Sequence, residues 1–505
     1  MSNTLGIEFG STRIKAVLID GAFCPVAAGD YTWKSDFRNG VWTYDLEEAW
    51  HGLRTALRAL GEVRVDAMGV SAMMHGYLAF DKDWKLLTPF RTWQNTMTGE
   101  AADRLTELFG FNIPQRWSIA HLYQAVLNKE KHVPQIAHIT TLAGYIHFML
   151  TGVNAVGVGE ASGMFPIDSA TLDYDGAMME QFDRLIADQP FTLRQILPQV
   201  LPAGAPAGRL TEQGAALLDG LLPAGIPFAP AEGDAGTGMT ATNAVAPRTG
   251  NVSAGTSIFS MVVLERPLEK VYSEIDLVTT PSGKPVAMVH CNNCTNDMNA
   301  WVGILRETVE LFGGAVSANE LFTKLYQKSL EGDADCGGVM VYNYLAGEGV
   351  THMDEGRPLV LRRPDSRFTL ANFLRAQLYS TMSTLKIGMD LLAAEHVAID
   401  SLTGHGGLFK TPGVGQKYMA AACNAPVTLM ESAGEGGPYG MALLAAYPEY
   451  AAKGETLEEF LNKHVFCSAV RTTLAPEEAD VEGFRTFLQT YRAGLAVEQA
   501  AIQYT

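Results

Sequence analysis

Apolar and polar positions alternate from the start of the chain. Leu5 and Ile7 alternate with Gly6 and Glu8, Gly10-Ser11-Thr12 supplies a turn, and Ile14, Ala16 and Leu18 alternate back. That pattern predicts a β-hairpin over residues 4–20, with a third strand near Pro25–Ala28. The period then changes. Leu46–Leu60 carries apolar residues at helical spacing behind Asp45, a side chain suited to capping a helix N-terminus. Short apolar runs at Val65–Ser71 and Gly76–Phe80 read as strands, and residues 98–150 read mostly as helices. Leu201–Pro227 is rich in Pro, Gly and Ala around a helix at Thr211–Leu218.

Near residue 249 the pattern begins a second time. Thr249–Leu264 repeats strand, Gly/Ser/Thr turn and apolar strand. Phe373–Leu392 predicts a long helix, Val397–Leu402 a strand ending in Gly404-His405-Gly406-Gly407, Gly415–Cys423 a helix, Val427–Met430 a strand, and Gly440–Tyr447 a helix. A boundary falls near residues 245–250. A chain of 505 residues accommodates two such α/β halves.

Composition narrows the partners. A formal net charge of −18 disfavours nucleic acid and anionic membrane surfaces. An anionic ligand must therefore be held locally, by backbone amides, a divalent cation and a few placed side chains. No apolar run reaches the roughly 18 residues of a membrane span. The start, Met-Ser-Asn-Thr, lacks the basic and apolar regions of a leader. With six scattered cysteines, this gives the expectation of a reducing, cytoplasmic setting. Cys291 and Cys294 form one CxxC without a second pair, which reads as structural.

Three small-residue turns, each after a strand, carry the candidate chemistry: Gly10-Ser11-Thr12, Gly255-Thr256-Ser257 and Gly404-His405-Gly406-Gly407. Without bulky side chains, their N–H groups can approach an anion. None is a P-loop or a dinucleotide fingerprint. Asp234, in Gly233-Asp234-Ala235-Gly236-Thr237-Gly238, is either a turn residue or a carboxylate placed to accept a proton.

In order and spacing these segments resemble the FGGY carbohydrate kinases, and among them the xylulokinase and pentulose-kinase branch. The matching stretches are IEFGST at 7–12, Met74-His75-Gly76, Trp93-Gln94-Asn95 for a Trp-x-Asp segment, Glu160-Ala161-Ser162-Gly163 for Asp-Ala-Ser, the Gly233–Gly238 loop, SAGTS at 253–257, GHGGLFKTPGVGQKYMA at 404–420, and Gly434-Glu435-Gly436-Gly437-Pro438-Tyr439-Gly440. The resemblance implies two α/β domains of the actin-like ATPase (ribonuclease H-like) fold facing across a deep cleft. Residues 1–247 would form the sugar-binding domain and 248–470 the ATP-binding domain, with helices of 471–505 packing back on the first.

It further implies transfer of a phosphoryl group from ATP to a hydroxyl of a ketose, with D-xylulose the first choice. Asp234 would be the general base and, with Glu8, a ligand of Mg²⁺. Met74, His75 and Trp93 would border the sugar. Gly10, Ser11, Thr12, Gly255, Thr256 and Ser257 would cradle phosphates, and Gly406, Gly407 and Gln416 would border the adenosine. Arg116, His121, Asn296 and Asp297 fall in segments that flank the cleft in such proteins, without assigned roles. Homodimers are common in the family. Glu8, Asn95 and Met97 depart from its pattern, which leaves two alternatives open: a kinase for another ketose or polyol (ribulose, fuculose or glycerol), and a nucleotide-binding regulatory protein with weakened turnover. An actin-like chaperone ATPase has no support, because nothing reads as a peptide-binding β-domain.

Overall fold

The computed structural model describes residues 2–430 and 436–505. The opening hairpin forms as patterned: β1 (Thr4–Phe9) pairs antiparallel with β2 (Arg13–Ile19), and β2 with β3 (Pro25–Thr32). Two parallel strands complete this first sheet, β4 (Ala67–Ala72) beside β1 and the short β5 (Glu232–Gly233) beside β4. The order is β5-β4-β1-β2-β3. Helix α1 (Leu46–Ala59) starts where Asp45 accepts a hydrogen bond from the Glu47 amide at 2.9 Å. Its apolar stripe, Trp50, Leu53 and Leu57, packs on Leu5, Ile7 and Phe9, the side chains that alternate onto one face of β1.

The second sheet repeats the scheme. β6 (Thr249–Ala254) pairs antiparallel with β7 (Ile258–Val263), and a second hairpin, β8 (Asp276–Thr279) and β9 (Pro285–Cys291), joins the far side of β7. Parallel β10 (Ser401–His405) lies beside β6, followed by β11 (Val427–Met430) and the antiparallel β12 (Arg471–Leu474), giving β8-β9-β7-β6-β10-β11-β12. Thus β1 with β2 and β4 corresponds to β6 with β7 and β10, and the repeat legible in the sequence is a repeat of topology. Helix α2 (Asp234–Ala241) follows β5, α3 (Leu370–Ala394) runs through the second-domain core, and α4 (Val414–Cys423) follows the third small-residue turn. Among the described residues no helix is long and apolar enough to cross a membrane.

The C-terminal region corrects one expectation. Helix α6 (Glu478–Tyr504) packs Phe484, Phe487, Leu488 and Tyr491 into the second domain, and its Asp480 pairs with the buried Arg375 of α3. Residues 471–505 therefore belong with the second domain, and an earlier segment returns to the first. Helix α5 (Gly437–Ala446) lies on the first sheet, and Tyr439, Leu443, Leu457 and Phe460 join a core shared between the domains. Close approach explains it: a Cβ on Gly6 would collide with the Pro438 carbonyl, and one on Gly440 with the backbone of Thr237. Two glycines thus let α5 sit against both β1 and α2.

Candidate active site

Parallel pairing fixes where the first-domain groups emerge. Phe9 of β1 stands opposite Ala72 of β4, and Ala72 opposite Gly233 of β5. The residues leaving these strand ends are Gly10-Ser11-Thr12, Met73-Met74-His75 and Asp234, all at one edge of the sheet. Carboxyl ends of parallel strands are where α/β proteins build their sites.

Asp234 is the first residue of α2, and its side chain is exposed to the cleft. One carboxylate oxygen accepts a hydrogen bond from the Met74 amide at 3.0 Å, which anchors it beside the next loop. The surrounding protein raises its pKa through burial, opposed by the amides of Met74 and Ala235. Exposure and desolvation coexist because the side chain is open to solvent on one side while protein atoms surround it on the others. A more basic carboxylate is a better proton acceptor.

His75 adopts a left-handed backbone conformation, φ +73°, unusual for a side chain of its size. The loop is held there. Gly76 follows at φ +98°, its carbonyl accepting from Ser118 Oγ at 2.6 Å, and the imidazole stacks on the buried Trp117 at 6.2 Å and 19°. Such conformations cost about 1–3 kcal/mol and persist where the surroundings over-determine them. His75 Nδ1 lies 3.2 Å from the Gly163 carbonyl. A carbonyl only accepts, so Nδ1 carries the proton and Nε2 keeps a free lone pair. Burial and then the nearby Arg116 guanidinium keep the ring neutral, well below the usual histidine range.

Glu8, at the end of β1, has its carboxyl pushed up to about 8, first by burial and then by the charge of Asp234, with Lys15 opposing. A Cβ on Gly437 would collide with this carboxyl, so the bare Gly437 leaves room for it. Among the described residues no three acidic, imidazole or thiol groups converge into a metal cage. Two neighbouring carboxyl groups, close enough for the charge of Asp234 to act on Glu8, nevertheless fit Mg²⁺, which is commonly held by one or two carboxylates together with substrate phosphates.

The first two turns share a chemical property. Among the described residues the N–H groups of Ser11, Thr12, Thr256 and Ser257 have no hydrogen-bond acceptor, and all four lie on hairpin tips at strand ends. Unpaired N–H groups on a hairpin tip form an anion cradle. The third turn abuts the second, because a Cβ on Gly406 (φ +99°) would collide with the Ala254 carbonyl, and Gly407 opens the short 3₁₀ turn behind it. Trp93 is 37% exposed and donates from Nε1 to Ser11 Oγ at 3.3 Å, which ties the first turn to the sugar-side loop.

Other residues that the sequence reading singled out, Gln416 among its site candidates, are placed as follows. Asn95 is buried: its Oδ1 accepts from the Trp42 amide at 2.8 Å and its Nδ2 donates to the Trp42 carbonyl at 2.8 Å, so it braces the hairpin of residues 36–43 and does not face the cleft. Gln416 is also buried, with Nε2 donating to the carbonyls of Val427 and Thr472 at 2.8 Å each. It closes β11 against β12 and leaves no amide hydrogen for an adenosine. Asp297 accepts from Trp301 Nε1 one helical turn on, at 3.2 Å. His121 is fully buried against Tyr77. Met97 is exposed, Asn296 opens the helix Asn296–Leu311, and Cys291 and Cys294 are buried free thiols. Of the segment 434–440, Gly434 and Glu435 lie outside the described residues.

Three side chains near the site, Glu232, Asp276 and His290, have no role in the sequence reading, and Glu160 enters it only as part of a matched segment. Glu232 is buried and accepts from the Glu160 amide at 2.9 Å; burial lifts its carboxyl to about 8 and lifts that of Glu160 well above the usual range. The sequence signal was the glycines facing Glu232, since a Cβ on Gly157 or Gly159 would meet its carboxyl. Asp276 of β8 pairs with Arg116 from the first domain, and His290 of β9 lies near that Arg116.

Two repeated sheets, a cleft-facing carboxylate and paired amide cradles define a phosphotransferase of the actin-like ATPase fold. The N-terminal domain model of the FGGY family of carbohydrate kinases matches residues 3–240 and its C-terminal domain model residues 250–448, and the chain belongs to that family. It is 21% identical over 514 residues to a xylulose kinase of Haemophilus influenzae, covering 97% of this chain and 99% of that one. Among solved structures, a ligand-bound xylulose kinase and a gluconate kinase, both from Lactobacillus acidophilus, superpose with TM-scores of 0.81 and 0.82 at 17% identity each. The first covers 99% of this chain and the second 100%, and both matches take in the whole of the other chain. The protein is a sugar kinase; the two structural likenesses speak to its fold.

Proposed function

We propose that this kinase phosphorylates an uncharged ketose in the manner of a xylulokinase, with Asp234 as general base and ATP as donor. The observation that carries the reading is Asp234 itself: open to the cleft, anchored by the Met74 amide at 3.0 Å, and beside the oriented His75. A sugar hydroxyl bound there gives its proton to the carboxylate as the phosphoryl group arrives. His75 Nε2 accepts from a second hydroxyl and fixes which oxygen faces Asp234, while Met74 and Trp93 wall the sugar.

The amides of Ser11, Thr12, Thr256 and Ser257 align the phosphate chain, and Gly406 and Gly407 give the nucleoside room. Glu8 and Asp234 would hold magnesium, which supplies charge neutralisation on the phosphates. An uncharged acceptor is favoured because Asp276 takes up the charge of Arg116, while the Asp234 carboxylate repels another carboxylate. The likeness of the whole chain to a xylulose kinase supports the choice of sugar.

The test is ADP release with xylulose, ribulose, fuculose, glycerol and gluconate, for the native protein and Asp234→Ala. Native turnover should be highest on a ketose. Losing a general base should lower kcat by at least about 10²–10⁴-fold, with ATP affinity within a few-fold. Full activity of Asp234→Ala would remove the base assignment.

A further inference from the structure

A histidine with no role so far faces the first domain from the second sheet. Side chains alternate along β9: Ala287, Val289 and Cys291 enter the second-domain core, whereas Val286 and Met288 join the core shared with the first domain. His290 continues the second series, so its ring looks toward the first domain where the sheet opens into the cleft. It is half-buried and stacks on Phe259 of β7 at 6.3 Å and 22°. Phe259 follows Ser257 of the second turn by two residues. Across the cleft stand Arg116 and His75. Among the described residues no protein group hydrogen-bonds to either nitrogen of the His290 ring.

We propose that His290 is a specificity-determining residue that hydrogen-bonds a hydroxyl of the acceptor sugar from the second domain, opposite His75. This rests on the kinase reading above and deepens it. Burial and then the Arg116 charge hold the imidazole at about 4, so it is neutral at physiological pH. A neutral imidazole offers one donor and one acceptor, which matches a hydroxyl, itself both donor and acceptor. It offers no charge to a carboxylate. His75 and His290 belong to different domains, so a polyol bridging them is read on both sides of the cleft.

The experiment is a cycle between protein and substrate. Native protein, His290→Ala and His290→Gln are assayed with the preferred ketose and with its singly deoxygenated analogues, recording KM for sugar and for ATP. His290→Ala should raise the sugar KM up to about 10-fold, the scale of one neutral hydrogen bond. The ATP KM should stay within about twofold, and His290→Gln should recover part of the loss. One deoxy analogue should lose against the native protein yet be handled equally by native protein and His290→Ala, a signature that packing alone does not produce. Equal shifts in both KM values, or unchanged discrimination among the analogues, would overturn the proposal. Should His290→Ala fail to fold, His290→Gln carries the same cycle, and the same two outcomes support or overturn the proposal. A native protein that phosphorylates no sugar would instead remove the kinase reading, and this proposal with it.

Discussion

Glu348 shows what burial does to one carboxyl away from the cleft. It is 1% exposed, its Oε2 accepts from the Asn293 amide at 3.2 Å and from Asn293 Nδ2 at 3.1 Å, and burial still lifts it to about 7. The sign follows. Below the unfolded value near 4.5 the carboxyl is protonated in both states and its contribution is intact. As pH rises through 7 the unfolded chain gives up the proton freely, while the folded chain must bury a charge, so stability falls. Glu348→Gln has no proton to lose. Its stability relative to the native protein should climb between pH 4.5 and 8 by about 2–4 kcal/mol, since each tenfold difference in acidity between the folded and unfolded carboxyl is worth about 1.4 kcal/mol. Denaturant titrations at several pH values measure this, and parallel curves for the two proteins would refute it. The same scale shows what a sequence leaves hidden. Asn95 and Gln416 stand where family-like segments place ligand contacts, yet both amides are taken by backbone groups distant in sequence. Spacing locates a residue on an element; the partner that turns its side chain inward comes from elsewhere in the fold. For Asp234 the residues alone left a turn role open; the resemblance singled it out, and the structure places it where β5 passes into α2.

Helices α5 and α6 change places relative to the sequence reading, for a reason visible in their residues. GPYGMALLAA, the sequence of α5, is apolar all round, and such a helix is buried on every side. The sequence does not say between which partners; the glycines facing Pro438 and Thr237 decide that. The sequence alone sets α6 on the wrong domain, because its anchor is an ion pair 105 positions apart in sequence, Arg375 with Asp480. Lys417 also reaches Asp480, at 3.0 Å. Asp480→Ala leaves the buried Arg375 guanidinium without its carboxylate. Removal of one partner of a buried pair costs about 3–5 kcal/mol. The loss should appear in the unfolding of the second domain, with Trp301 fluorescence as its reporter, while nucleotide-independent sugar binding in the first domain persists. Selective loss of the first domain would show that α6 is anchored elsewhere. The strands β1, β2 and β11 were legible to within a residue or two, since two-residue alternation or a short apolar run bounded by turns leaves little choice. β10 was not, because the run at 397–402 begins in the connection before the strand and the strand itself continues through His405.

At the scale of the whole molecule, polar contacts at β8 join the two domains beside the core they share through α5. From the first domain, Asn112 Nδ2 donates to the Ile275 carbonyl at 2.9 Å, and Arg116 pairs with Asp276. From the second, the Thr279 amide donates to Ser162 Oγ at 3.0 Å and Thr279 Oγ1 to the Val158 carbonyl at 3.1 Å. All four contacts fall at or beside β8, so a closure of the two domains about this edge would bring the amide cradles of the two sheets together. Under the proposed function, a sugar held by the first domain and a nucleotide held mainly by the second would then be coupled through one motion. Each ligand that favours the closed arrangement makes closure easier for the other, and the coupling is reciprocal. The ketose should tighten binding of a non-hydrolysable ATP analogue by about 5–150-fold, and the analogue should tighten the ketose by the same factor. Calorimetric titrations run in both orders measure the two factors. Asp276→Asn removes the charge that Arg116 pairs with and loosens the axis, so it should shrink both factors together. Unequal factors would violate linkage and point to turnover or a second site, and factors of one would mean that the cradles do not move as a unit.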